Sequence, residues 1–495
     1  IASIDLSFRG ALRRSTAGRA AAHGPLMSLL RTCLFISPAL LGLFVVATPA
    51  VAQAAPGLGA VTALAVFATP ISDKYTALGG AGGFLGNPTI TEQTAPDGVG
   101  KYRHYQGGSI YWSPSTGAHE VHGLIRGRWA ELGWEQGYLG YPMTDEIDMY
   151  DGEGRVTKFQ GGELIWRKAT NAVSEVRSTD LVVDLPTKQN EPWKIIQANG
   201  GSTGSHVGPW VYCYDLVWNN DQPKTKGREL ASSATARIVW AKDDATGPAV
   251  SNVIVQKLGT GRYASTLHIQ QGSYAALNDE EGGLNFLPQA LPWSARPVPT
   301  SGSAIARTGD VGAANGAYHI HYCITTAPDL GGFKPFESVP FAFRNYDVSN
   351  DGVNWSAVAV GVPKNGQWVR RKSAGGAATV SAGVEVLNFG AVEGKVSLPP
   401  GSTAAVGGKV HVGVTSAWGE PLATTTIAVT ALTVNGPWNF KFTKVPNYKG
   451  VKVSATYDGP ITPSATLVAG EGTAFDVKAN LSKTSDVALK ASTVR

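Results

Sequence analysis

Charge is scarce in this chain. Only 16% of its 495 residues are Asp, Glu, Lys or Arg, while 60 are Gly. That balance argues against a largely helical protein and fits a turn-rich β protein of the extracellular kind. Cysteine is rarer still, at three residues. The longest apolar stretch falls short of the roughly 20 residues a membrane span requires. Aromatic side chains are plentiful, with 13 Trp and 16 Tyr, which excludes a chain disordered as a whole. A chain of this length is expected to hold about three domains.

Residues 27–54 have the pattern of a secretory signal. Arg31 supplies the basic start. Cys33 to Val46 is apolar apart from Ser37 and Pro38, and Ala50-Val51-Ala52 and Ala52-Gln53-Ala54 are small-residue cleavage patterns. Residues 1–26 are expected to be an over-extended start ahead of Met27. Processing would remove Arg9, Arg13, Arg14, Arg19 and Arg31 together with Asp5. That leaves 42 − 5 = 37 basic and 37 − 1 = 36 acidic residues. A net charge near zero gives no case for nucleic acid or an anionic membrane as partner, and no stable membrane insertion is expected after processing. Cys33 leaves with the signal. Cys213 and Cys323 remain, and export permits them to oxidise.

Residues 73–178 contain an internal repeat. Leu78-Gly79 recurs as Leu132-Gly133, and Phe84-Leu85-Gly86-Asn87-Pro88 as Tyr138-Leu139-Gly140-Tyr141-Pro142. Gln106-Gly107-Gly108 recurs as Gln160-Gly161-Gly162, and Trp112 as Trp166, all 54 residues apart. Each unit is expected to hold a short helical start, a turn and a hairpin ending in an aromatic strand. The pattern resembles the LGFP repeat of exported actinobacterial and related proteins. That resemblance implies a module that attaches proteins to the cell-wall polymer, peptidoglycan included. Most of its Trp and Tyr residues are expected to be core.

Chemistry concentrates in residues 179–340. A Gly/Ser loop carries His206, and Trp210–Trp218 (WVYCYDLVW) is an apolar, aromatic strand interrupted by Asp215. A carboxylate there is costly unless paired or bound to metal, and both readings fit. Arg262–Ile269 reads as a strand bearing His268. Asn315–Cys323, NGAYHIHYC, holds His319 and His321, which share a face because side chains alternate along a strand. Taken alone, that pair fits two half-exposed strand histidines as well as a site.

The order His, Asp, His, His-x-His resembles the lysostaphin-type zinc endopeptidases, the LytM group. SHVGPWVYCYD, GTGRYASTLH and SGSAIARTGDVGAANGAYHIH carry the likeness over roughly residues 200–325. The resemblance implies an antiparallel β core, Zn2+ held by His206, Asp215 and His321, and His268 and His319 as catalytic residues that do not bind the metal. His206 and Asp215 are nine residues apart where shorter members of the family use H-x-x-x-D, and Leu267 replaces the usual small residue before the middle histidine. If Asp215 and His321 face one metal from adjacent antiparallel strands, two steps along each strand place Cys213 opposite Cys323, and a disulfide is expected.

Residues 341–495 are expected to form a linker and a β-sandwich, with strands punctuated by Gly, Pro and Asn. The whole is then mainly β: small repeat domain, antiparallel peptidase-like core, sandwich tail. The expected function is a secreted, wall-associated zinc metalloendopeptidase hydrolysing peptide bonds of peptidoglycan. The alternative is a catalytically inactive, peptidase-like protein that binds the wall or regulates a hydrolase.

Overall fold

The computed structural model describes residues 68–149, 154–200, 206–247, 249–259, 261–280, 287–313, 316–326, 337–381, 389–446 and 450–462, with short strand pieces as far as 491. The start (1–26) and signal (27–54) expected from the sequence lie outside the described residues, as do Ser202–Ser205 and Asn315. The protein is mainly β. Among the described residues no helix is long and apolar enough to cross a membrane.

Each repeat unit is a helix followed by four antiparallel strands, a fuller meander than the expected hairpin. The helices are Pro70–Ala77 and Gly123–Glu131. The recurring residues mark places where the backbone leaves no choice. Gly86 and Gly140 adopt φ of +65° and +68°, which side chains with a Cβ rarely do. The carboxamides of Gln106 and Gln160 fold over these turns and accept the backbone N–H of Asn87 at 2.9 Å and of Tyr141 at 3.1 Å. A Cβ at Gly107 or Gly161 would collide with the carbonyl oxygen of Phe84 or Tyr138. One core cluster spans both units, with Tyr111 and Val121 of the first packed against Trp129, Leu139 and Phe159 of the second, while Ile71, Leu85, Tyr105 and Ile110 form a separate cluster within the first. Most aromatics are core, as expected. Phe84 and its counterpart Tyr138 are instead 52% and 42% exposed.

The central sheet has eleven strands: β1 (Leu181–Val183), β2 (Trp193–Gln197), β3 (Tyr214–Trp218), β4 (Arg237–Lys242), β5 (Val253–Gly259), β6 (Arg262–Leu267), β7 (Ile320–Thr325), β8 (Ala342–Ser349), β9 (Ser356–Gly361), β10 (Trp368–Arg371) and β11 (Thr379–Val380). Their order is β4-β5-β6-β7-β3-β2-β10-β8-β1-β11, with β9 on β8. Strands β8 to β11 lie beyond residue 340, so the boundary expected there divides a single sheet. The physical reason is burial: Phe341, Phe343, Tyr346 and Val369 join Trp193, Ile195, Tyr214, Ile320 and Tyr322 in the main core. Alternation along a strand reveals its buried face but not the sheet it joins.

The opposite face of β4 to β7 carries Val239, Val253, Val255, Tyr263 and Leu267, with Trp210, Trp240, Trp293 and Trp418 packed around them. Trp418 belongs to the C-terminal domain, where two sheets enclose Val392, Val412, Phe440 and Val453, the expected sandwich. Its turn at Ser416–Glu420 docks on the central sheet. The buried Glu420 carboxylate accepts from Lys257 Nζ and the Tyr263 hydroxyl, and the Trp418 ring meets Tyr263 edge-on at 5.6 Å. The second repeat is anchored as well, with the Tyr212 hydroxyl donating to the Gly162 carbonyl at 2.6 Å.

Candidate metal centre

Strand register builds the site. In the β3–β7 ladder Asp215 stands opposite His321, and in the β6–β7 ladder Leu267 stands opposite the same His321. Directly opposed residues point to the same face, so Asp215 and His321 share the aromatic-lined face of the sheet. Asp215 Oδ1 lies 2.9 Å from His321 Nδ1 and 3.2 Å from His206 Nε2. His206 enters from the turn before Trp210 and is completely buried. His319, two residues before His321, reaches the same carboxylate, with Nε2 at 3.7 Å from Asp215 Oδ1.

His268 arrives by a different route. β6 ends at Leu267, two residues short of the expected Ile269 and just before His268. In a regular strand His268 would face the main core. Its φ of +61° turns the chain left-handed instead, and the imidazole comes to lie 4.6 Å from that of His319 and 5.7 Å from that of His321, centre to centre. A left-handed non-glycine residue is a strained conformation of the kind that gathers at functional sites.

The structure thus brings all five residues together. Sequence reasoning missed the backbone carbonyls that orient two of them. His268 Nδ1–H donates to the Val311 carbonyl at 3.0 Å, and His319 Nδ1–H donates to the Ala317 carbonyl at 2.8 Å. Any residue type supplies a carbonyl, so no signal could have identified these partners. Trp210, edge-on to His321 at 5.3 Å, was missed too, although it stands in the quoted SHVGPW stretch.

Burial governs the charges. It would push the Asp215 carboxyl upward, but the imidazoles of His321 and His206 outweigh it and hold the group well below the usual carboxylate range. Burial lowers His321 against the pull of Asp215. Burial, with the neighbouring His319 and His321 imidazoles, lowers His268 to about 3. His268 and His321 are therefore neutral at pH 7, the state in which an imidazole nitrogen can accept a proton or a metal.

Ligand atoms of His206, Asp215 and His321 all lie within 4.8 Å of one another, as do those of His268, His319 and His321 and those of Cys213, His321 and Cys323. The first set fits a cation best. His206 Nδ1 is buried without a hydrogen-bond partner, and His206 Nε2 and Asp215 Oδ1 are buried against each other at 3.2 Å without meeting hydrogen-bond geometry. Such atoms are costly unless something else satisfies them. The distances from Asp215 Oδ1 to His206 Nε2, 3.2 Å, and to His321 Nδ1, 2.9 Å, are near the ~3.3 Å edge of a tetrahedron whose centre is 2.0–2.1 Å from each ligand. In the second set, His268 and His319 donate through Nδ1 to carbonyls, which leaves Nε2 as the free nitrogen of each.

The Cys213–Cys323 disulfide is present, with Cα atoms 4.5 Å apart. It lies on the same face as Asp215 and His321, one step along the ladder.

Two segments match a known family. Residues 85–137 and 139–177 are LGFP repeats, offset by 139 − 85 = 54 residues, the spacing of the recurring glycines. The repeats suggest a cell-wall or cell-surface role. No curated protein matches the chain.

Proposed function

We propose that the central domain is a zinc metalloendopeptidase that hydrolyses peptide bonds of peptidoglycan, held at the wall by the LGFP repeats. The observation that carries this reading is the convergence of His206, Asp215 and His321 with two further histidines, each held through Nδ1 by a carbonyl so that Nε2 is left for chemistry. His206, Asp215 and His321 would hold the ion. When bound, zinc lowers the pKa of a water to about 7 and polarises the scissile carbonyl.

The remaining work falls to the chain's own residues. His268 and His319 carry their proton on Nδ1, fixed by the Val311 and Ala317 carbonyls. Each Nε2 is then a base that can take a proton from the attacking water and return it to the leaving amine. With a proton at Nε2, the same imidazole stabilises the developing oxyanion. Trp210 shields one side of His321 from water. The wall polymer would contact the repeats at Phe84 and Tyr138, the exposed aromatics at equivalent positions.

Cleavage of peptidoglycan cross-bridge peptides by the processed chain, with and without a chelator, tests the reading. Cleavage that chelation abolishes and zinc restores supports it. A chain that holds zinc yet cuts no such peptide is a wall-binding protein instead.

A further inference from the structure

We propose that Cys213, His321 and Cys323 form a second metal site, opened by reduction of the disulfide. It takes a thiophilic divalent cation such as zinc and competes with the His206–Asp215–His321 set for His321. The inference rests on the reading of that first set as metal-binding.

Three observations carry it. The two sulfurs and the His321 ring lie together, with all three residues buried and their ligand atoms within 4.8 Å of one another. Cys323 Sγ is 3.2 Å from His321 Nε2, while His321 Nδ1 is 2.9 Å from Asp215 Oδ1. One imidazole therefore presents its two nitrogens to two different donor sets. In the disulfide state neither sulfur is a thiolate, and only the Nδ1 side offers a complete set.

Reduction changes which side is stronger. A thiolate of a dithiol reductant attacks one sulfur and the Cys213–Cys323 bond breaks. The reductant closes its own disulfide, supplying two electrons and two protons, and both cysteines become thiols. A cation entering there displaces those protons to solvent. Two thiolates and an imidazole are a softer set than two imidazoles and a carboxylate, and zinc favours them. A neutral imidazole has one lone pair and one N–H. Ligation through Nε2 places the hydrogen on Nδ1, where it donates to Asp215, so His321 is lost to the first set. The two sites are mutually exclusive, and oxidation has to precede productive loading.

Cobalt(II) is the probe, added to the full metal-free chain in two states: oxidised, or reduced with a dithiol and desalted without oxygen. The expected result is one cobalt per chain in both states. An intense sulfur-to-cobalt charge-transfer band appears only in the reduced state and is lost in C213S/C323S. Absence of that band from the reduced chain overturns the proposal. So does a stoichiometry of two, because the sites would not compete. Loss of near-ultraviolet circular dichroism on reduction also counts against it, since the site requires the folded β3–β7 pairing. If the oxidised chain binds no cobalt while the reduced chain shows the band, the thiolate site stands and the first metal set fails.

Discussion

His206 turns Nε2 to Asp215 and has no hydrogen-bond partner at Nδ1, whereas His268 and His319 each donate through Nδ1 to a carbonyl. In the function proposed above, the first binds the metal and the other two transfer protons. Replacing His206, Asp215 or His321 by Ala is expected to remove metal and activity together, because the ion's Lewis acidity goes with it. His268→Ala and His319→Ala are expected to keep the metal and lower kcat by about 10²–10³-fold. Zinc content and peptide cleavage of all five variants check this, and zinc retained by His321→Ala would reverse the roles of the H-x-H pair. The metal-free protein should also be acid-sensitive. The folded pKa of His268, about 3, lies below the unfolded value of about 6.5. As pH falls the unfolded chain takes up its proton first, so stability is complete above about 6.5 and declines toward about 3. The depressed Asp215 acts in the same direction, its contribution lost as pH falls through its folded pKa. Thermal midpoints of the metal-free chain should be lower at pH 4.5 than at pH 7. His268→Gln should reduce that difference, and an unchanged difference would count against this assignment.

Strands and turns decide how much of this could be read in advance. The β3–β7 ladder was legible. Cys213 lies two residues before Asp215 and Cys323 two after His321, so the antiparallel register that opposes one pair opposes the other, and both oppositions are present. The left-handed residue at the end of β6 was not legible, because it overrides the alternation used to assign faces. The sheet boundary at 340 was missed for a related reason. Strands β8 to β11 have the same alternation whether they extend one sheet or begin another, and long-range burial of Phe341 and Phe343 decides between them. In the repeats the glycines were legible as turns, but which aromatics stay exposed was not: Leu85 and Leu139 are fully buried while the adjoining Phe84 and Tyr138 project outward. Exposed aromatic contacts of this type are each worth about 1–2 kcal/mol. Phe84→Ala and Tyr138→Ala are therefore expected to weaken wall retention of the full chain about tenfold each, and more together, since two linked contacts act on one polymer. Co-sedimentation with purified wall measures this, and full retention by the double variant would remove these residues from the wall contact.

The whole molecule sets the central sheet between two supports. The second repeat fastens to the segment following His206 through Tyr212, and the C-terminal sandwich fastens through Glu420 and Trp418 to the face that carries Asp215 and His321. Glu420→Ala would leave Lys257 and the Tyr263 hydroxyl without their buried acceptor and is expected to cost about 1–3 kcal/mol. It should also split denaturant unfolding into separate sandwich and sheet transitions. A single transition with an unshifted midpoint would show that the sandwich is held by other means. Wall attachment, metal binding and peptide cleavage are linked in this account by one rigid sheet, and the link is only as good as the metal. The most direct test is zinc analysis of the purified, oxidised chain, paired with cleavage of cross-bridge peptides by the same sample. The expected result is one zinc per chain, cleavage lost to a chelator, and cleavage regained on adding zinc. A chain that binds no zinc, or one that holds it and leaves every cross-bridge peptide intact, would contradict it.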